Sequence, residues 1–172
     1  EEDPVEAKYG DVIRGHEHKK AIDGYTFEEA DDLTVGTDNE ANIVKVYYSK
    51  DETGPEDPEK GDGIPDKYQI TFTYVSENTA KGSVTGTTVE VKTVQEITRD
   101  ETTGEIISVG ERVAQSPTQP STVKAATGYH FQKWNDGETD YATDDLLRKA
   151  SFDKSKTFTA CFEADDQTYT VQ

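Results

Sequence analysis

The sequence predicts a mainly β chain, α+β within each module, arranged as two tandem small modules with short helical turns. Three observations carry this reading. A phrase occurs twice, as Ala21-Ile22-Asp23-Gly24-Tyr25-Thr26-Phe27 and again as Ala125-Ala126-Thr127-Gly128-Tyr129-His130-Phe131, and internal repetition is the signature of modules in series. Each copy is followed by a run with strand bias, Ile43 to Tyr48 after the first and Phe158 to Phe162 after the second. Such runs hold the β-branched and aromatic residues that suit a pleated surface. Between them lie clusters of Asp, Gly and Pro, which set turns.

Composition bounds both size and function. The chain has 172 residues, is 31% hydrophobic and carries a formal net charge of -18, so two small modules with thin cores are expected. Its apolar residues gather in alternating runs, which separates it from disordered chains of similar composition. With no basic stripe to displace counterions from phosphates, nucleic acid and anionic membranes are poor partners. No apolar run is long enough to span a bilayer. The lone cysteine, Cys161, rules out an intramolecular disulfide framework. A Thr-rich, acidic, nearly Cys-free chain fits an extracellular surface protein that does without disulfides.

Along the chain, Val12 and Ile13 open a short extended stretch, and a strand before them is missing. Thr26 to Ala30 reads either as a helical turn N-capped by Thr26 or as a strand through Tyr25 and Phe27. Pro55, Pro58 and Pro65 punctuate an acidic Pro/Gly stretch over 49–66, read as a linker. Tyr68 to Tyr74 alternates with Ile70, Phe72 and Tyr74 on one face, the pattern of a half-buried antiparallel strand. Val89 and Val91 continue it, with a phase slip at Thr93-Val94 that suggests a bulge. Ile97-Thr98 and Ile106 to Val109 flank a hairpin turn at Asp100 to Gly104, read as an extension of the second module. Trp134 is the core anchor. Thr143 to Ala150 has an N-cap, then acids, then Arg148 and Lys149, the order of a short helix. The last strand buries Phe158, Ala160 and Phe162, which places Cys161 on the opposite face as a small spare residue.

Two groups of these residues carry a family resemblance. Gly24-Tyr25-Thr26-Phe27 with Asn42 to Tyr48 resembles the closing half of a mucin-binding-protein type repeat. The region from Lys67 to Asp165, through Gly128 to Trp134 and Phe158 to Phe162, is similar to divergent internalin-type B-repeats. The resemblance implies small β-grasp-like modules in the cell-wall-anchored surface protein of a Gram-positive bacterium. On this reading residues 1–48 form a module lacking its first strand, 49–66 the linker, 67–166 a module with a hairpin insertion, and 167–172 the start of a next repeat seeded by Tyr169 to Val171. The expected role is a stalk or spacer in host attachment, with neighbouring repeats of the same chain as partners. The alternative is direct binding of a host glycoprotein, mucin or immunoglobulin, through Tyr47, Tyr141 or Tyr169 and the Asp100 hairpin.

Candidate sites are few. The run Glu56 to Asp66 has Asp62-Gly63 with Asp66 in the manner of oxygen-rich calcium loops, so Asp57, Glu59, Asp62 and Asp66 are the calcium candidates. The Pro58 and Lys60 side chains supply no ligand, and a rigid acidic linker accounts for the same residues. His16-Glu17-His18 sets two imidazoles on one strand face, a zinc or copper spacing that needs further ligands; a polar strand face is the plainer reading. No nucleophile elbow, phosphate-cradling glycine loop or His-Glu-x-x-His helix occurs, so no catalytic residue is assigned and no cofactor other than calcium is expected.

Overall fold

The structure, a computed structural model, describes residues 4–118 and 121–171. In chain order its strands are β1 (Val12–Ile13), β2 (Tyr25–Ala30), β3 (Leu33–Thr34), β4 (Val46–Lys50), β5 (Gln69–Ser76), β6 (Gly82–Thr85), β7 (Val89–Thr93), β8 (Ile97–Arg99), β9 (Ile106–Val109), β10 (Thr122–Ala125), β11 (Tyr129–Asn135), β12 (Asp140–Tyr141) and β13 (Lys156–Ala164). One short α-helix, α1 (Asp144–Lys149), and 3-10 turns at Gly15–His18 and Asp66–Tyr68 complete the elements. The fold is mainly β, as predicted.

The chain divides into two units, but not where the sequence suggested. Unit 1 comprises Glu1–Tyr68 with Gln95–Glu111, and unit 2 comprises Gln69–Val94 with Arg112–Gln172. The expected linker over 49–66 is instead folded into unit 1. The reason is Asp51, 8% exposed, whose carboxylate accepts the backbone N–H groups of Asp62 at 3.0 Å and Gly63 at 2.8 Å. The acidic loop closes on it so tightly that a Cβ at Gly61 would lie 2.3 Å from the Asp51 carbonyl oxygen. The hairpin β8–β9, expected as part of the second module, likewise belongs to unit 1. Arg99 anchors it there, donating to the carbonyl oxygens of Phe27 (2.6 Å), Gly104 (2.8 Å) and Gly63 (2.8 Å) and to the Thr26 hydroxyl (3.2 Å).

Unit 2 is built on a five-stranded sheet of order β12-β11-β13-β5-β7. Only β13 and β5 run parallel; their neighbours are antiparallel. First and last sheet strands side by side at the centre, each with an antiparallel partner outside it, is the strand order of a β-grasp sheet. The alternation read from Tyr68 to Tyr74 puts Ile70, Phe72 and Tyr74 into the core with Val94, Trp134, Leu147, Phe158, Ala160 and Phe162. Trp134 is fully buried and its indole N–H donates to Asp144 at 2.8 Å, which satisfies the one polar atom that an indole brings inside. Helix α1 starts as read: the Thr143 hydroxyl accepts the Leu146 N–H, and Leu147 reaches the core. The phase slip at Thr93-Val94 corresponds to the end of β7, beyond which Val94 turns into the core at 1% exposure.

One core polar atom is left over. The Tyr74 hydroxyl, among the described residues, has no hydrogen-bond partner, and burial pushes its phenol pKa well up. Because an unpartnered buried hydroxyl costs desolvation without return, Tyr74→Phe is expected to stabilise unit 2 by about 1 kcal/mol. A denaturant midpoint shifted upward checks this; a downward shift would mean that the hydroxyl has a partner in solution.

Unit 1 is different in kind. Among its described residues the buried apolar side chains are few, Val35 and Pro65, and its small sheets are the pairs β1–β3, β2–β4 and β8–β9. Thr26 to Ala30 is a strand, the second of the two readings. The strand expected over Ile43 to Tyr48 is confined to Val46–Lys50, and Ile43 stands 59% exposed. His16 and His18 lie in a 3-10 turn, not on a strand, so the shared strand face expected of them does not exist.

The duplicated phrase proves to be a duplicated structure. Gly24 and Gly128 occupy the third position of equivalent turns at φ +72° and +84°, closed by Tyr25 N–H to Ile22 carbonyl and Tyr129 N–H to Ala126 carbonyl, both 3.1 Å. A positive φ in that position favours glycine. The strands that follow carry a register shift at the same step, Phe27/Glu29 in β2 and Phe131/Lys133 in β11. Phe27 faces Tyr48 across β2–β4 as Phe131 faces Phe162 across β11–β13. Both ring pairs are edge-on, with centroids 6.1 and 6.3 Å apart. Each returning strand then ends in an Asp whose N–H bonds the turn glycine carbonyl, Asp51 to Gly24 and Asp165 to Gly128.

Candidate functional site

An open polar cleft of about 780 Å³ on unit 1 is lined by Arg14, His16, Asp31, Asp32, Ile43 and Glu105 among others. Between the lining residues Arg14 and His16, the turn at Gly15 packs so closely that a Cβ there would fall 2.3 Å from the Asp31 carbonyl oxygen. The Gly15 N–H donates to Asp32 at 2.9 Å, and Asp32 also pairs with Arg14. Hydrogen bonding from Arg14 and then from Gly15 holds the Asp32 carboxyl below the usual carboxylate range, and the same pair raises Arg14. The Tyr47 hydroxyl donates to the lining residue Asp31 at 3.1 Å, which raises the phenol pKa because ionising it would set two anions together. Glu105 accepts the Ala30 N–H at 3.2 Å and the Thr103 hydroxyl at 3.1 Å.

This arrangement offers carboxylate oxygens, a guanidinium and a tyrosine at an open surface. Such groups hydrogen-bond hydroxyl-rich or cationic ligands. Comparison with family models, with curated proteins and with solved structures finds no match. The cleft is therefore read from its own chemistry.

The residues singled out from sequence are scattered. Tyr47, 39% exposed, flanks the cleft. Tyr141 is half-buried, edge-on to Phe152 and Phe158 at 6.5 and 6.4 Å, with its hydroxyl on Asp136 at 3.2 Å, so its ring serves the core of unit 2 and offers no open face. Tyr169 is 89% exposed and outside any strand. The calcium candidates do not converge: Asp57 caps the Glu59 N–H, Asp62 caps Ile64, and Asp66 accepts Glu52 N–H, Thr53 N–H and the Thr53 hydroxyl. Among the described residues no group of three His, Cys, Asp or Glu side chains is arranged to hold a metal. His130 lies on the surface with its Nδ1 2.9 Å from Asp165. Cys161 is half-buried and burial pushes its thiol up, away from reactivity.

Sequence reasoning did not single out Asp51 and Arg99. Neither lies in a recognisable motif, and each acts on backbone groups that are distant along the chain. Burial raises the Asp51 pKa foremost, with Asp62 and Asp66 adding to it, against the two N–H bonds that favour the charged form. Both tie stretches of unit 1 together, and Arg99 also holds the hairpin turn that carries the cleft residues Thr103 and Glu105.

Proposed function

We propose that this chain is a repeat segment of a bacterial surface adhesin, extracellular and cell-wall anchored through other parts of the protein, that acts as a stalk in host attachment rather than as an enzyme. The observation that carries this is the duplicated turn, bulge and antiparallel strand pair in the two units. Repetition at the level of backbone geometry is what modules that space or display require, since each copy contributes length in the same way. The acidic surface supports the reading, because self-repulsion keeps such a segment soluble and extended. The experiment is to place one, two and three copies beneath a fluorescent reporter on a bacterial wall and measure reporter height. Height rising with each copy is the expected result; an unchanged height overturns the spacer role.

Tyr47 beside the open carboxylates of the cleft favours one second reading, direct capture of a host glycoprotein such as mucin or immunoglobulin. Saturable binding of the chain to immobilised mucin or immunoglobulin, with or without calcium, lost in Tyr47→Ala, would establish it. The stalk reading expects no saturable binding.

A further inference from the structure

The duplication has one missing partner. In unit 2, β13 is bordered on both sides, by β11 antiparallel and by β5 parallel. In unit 1 the matching strand β4 has β2 on one side, and no described strand pairs with its other edge. Strand parity identifies the groups left on that edge. Asp51 N–H bonds Gly24, and the Lys45 carbonyl accepts the Asp31 N–H, so the odd positions face β2 and Val44, Val46 and Tyr48 face away. Their counterparts in unit 2 are Phe158, Ala160 and Phe162. There the Ala160 carbonyl accepts the Glu77 N–H at 3.0 Å and the Phe162 N–H donates to the Glu77 carboxylate at 2.9 Å.

The missing neighbour also explains why β4 is short. Pairing with β5 covers Lys156 to Ala160, the first half of β13, and the matched stretch in unit 1 is 42–46. That stretch has strong strand composition but, without a neighbour, becomes regular strand only at Val46.

The chain contains a segment of the right kind. Thr168-Tyr169-Thr170-Val171 repeats the pattern of Thr71-Phe72-Thr73-Tyr74, the part of β5 that supplies core side chains. It lies outside any strand, with Tyr169 89% and Val171 82% exposed. We propose that the free edge of the stretch leading into β4, residues 42–44, takes up, as a parallel strand, the Thr168–Val171 segment of a second copy of this chain. Carrying over the pairing of Phe72 with Lys156 and Tyr74 with Phe158 sets Tyr169 beside Asn42, Thr170 beside Ile43 and Val171 beside Val44. Main-chain hydrogen bonds give such strand addition its affinity, and alternate side chains give it register. Segment and edge are different surfaces, so association is head-to-tail and open-ended. The inference rests on the comparison of the two units and stands apart from the stalk reading.

Sedimentation of the full chain over a concentration series tests it, with Thr170→Pro as the variant. That substitution lies in an exposed segment and leaves both folded units intact. The expected result is self-association that Thr170→Pro weakens about tenfold, through one lost N–H bond and the ring's steric cost. Slower amide exchange at Val44, whose N–H the Thr170 carbonyl takes in this register, is expected alongside in the associated form. Three results would overturn it: a monomer at every concentration, association that Thr170→Pro leaves unchanged, or protection of the Val44 amide that does not depend on concentration and so comes from the chain's own segment.

Discussion

Phe158→Ala is expected to remove about 4 kcal/mol from unit 2, a large fraction of the stability of a small domain. Phe158 is fully buried at the centre of an aromatic cluster, its ring 5.6 Å from Phe72, 5.6 Å from Tyr74 and 5.4 Å from Phe152 between centroids. Truncation takes away the transfer energy of the ring and leaves a void that β13, paired on both sides, has little freedom to close. Trp134, the single tryptophan of the chain, lies in the same core and gives unit 2 a private fluorescence signal. Denaturant titration followed by its emission reads the loss directly. A cost below about 1 kcal/mol would show that the cluster repacks and is not what fixes the sheet.

The second large effect falls on unit 1. Arg99→Ala deletes four hydrogen bonds made by one guanidinium to three separate stretches, β2, the acidic loop and the hairpin turn. It leaves partly buried carbonyl groups without donors, and about 3 kcal/mol is expected from that combination. Arg99→Lys recovers little, because an ammonium on a flexible stem does not reproduce a planar fork that serves several acceptors at fixed angles. Faster amide exchange in β2 and β8–β9 with unchanged Trp134 emission is the expected signature. If exchange in β2 stays slow, the hairpin is held by other contacts, such as Lys19 to the Thr103 carbonyl at 2.9 Å.

Where packing of a continuous segment decides the structure, the sequence was readable. The alternation in β5, the buried positions of β13, the Thr143 cap and the Asp100 turn all follow from local periodicity or turn chemistry. The last is held by the Asp100 carboxylate accepting Thr102 and Thr103 N–H groups. Where long-range polar contacts decide it, the sequence was not. Asp51 and Arg99 stabilise unit 1 by gathering backbone groups up to 72 positions away, and no periodicity signals that. The acidic stretch looked like a linker because Pro and Gly break regular structure in a folded loop and in a free one alike. Ile43 and Val44 read as strand because their side chains are those of a strand, yet regular pairing needs a neighbour as well. Of the candidate site, Tyr47 was legible as an aromatic on a strand, whereas the cleft beside it is made by residues from four separate stretches of chain.

The excursion of residues 95–111 into unit 1 has a mechanical consequence. It leaves and re-enters unit 2 at nearly one point, where the Val113 N–H bonds the Val94 carbonyl at 2.7 Å. Tension applied at the two ends of the chain therefore bypasses the hairpin and loads residues 4–68 in series with unit 2. When unit 1 yields, those residues pay out about 200 Å of slack while the hairpin, with Arg99 on it, stays tethered to unit 2 as a ready template. The thinner-cored unit 1 is thus expected to yield first and to recoil onto the retained hairpin.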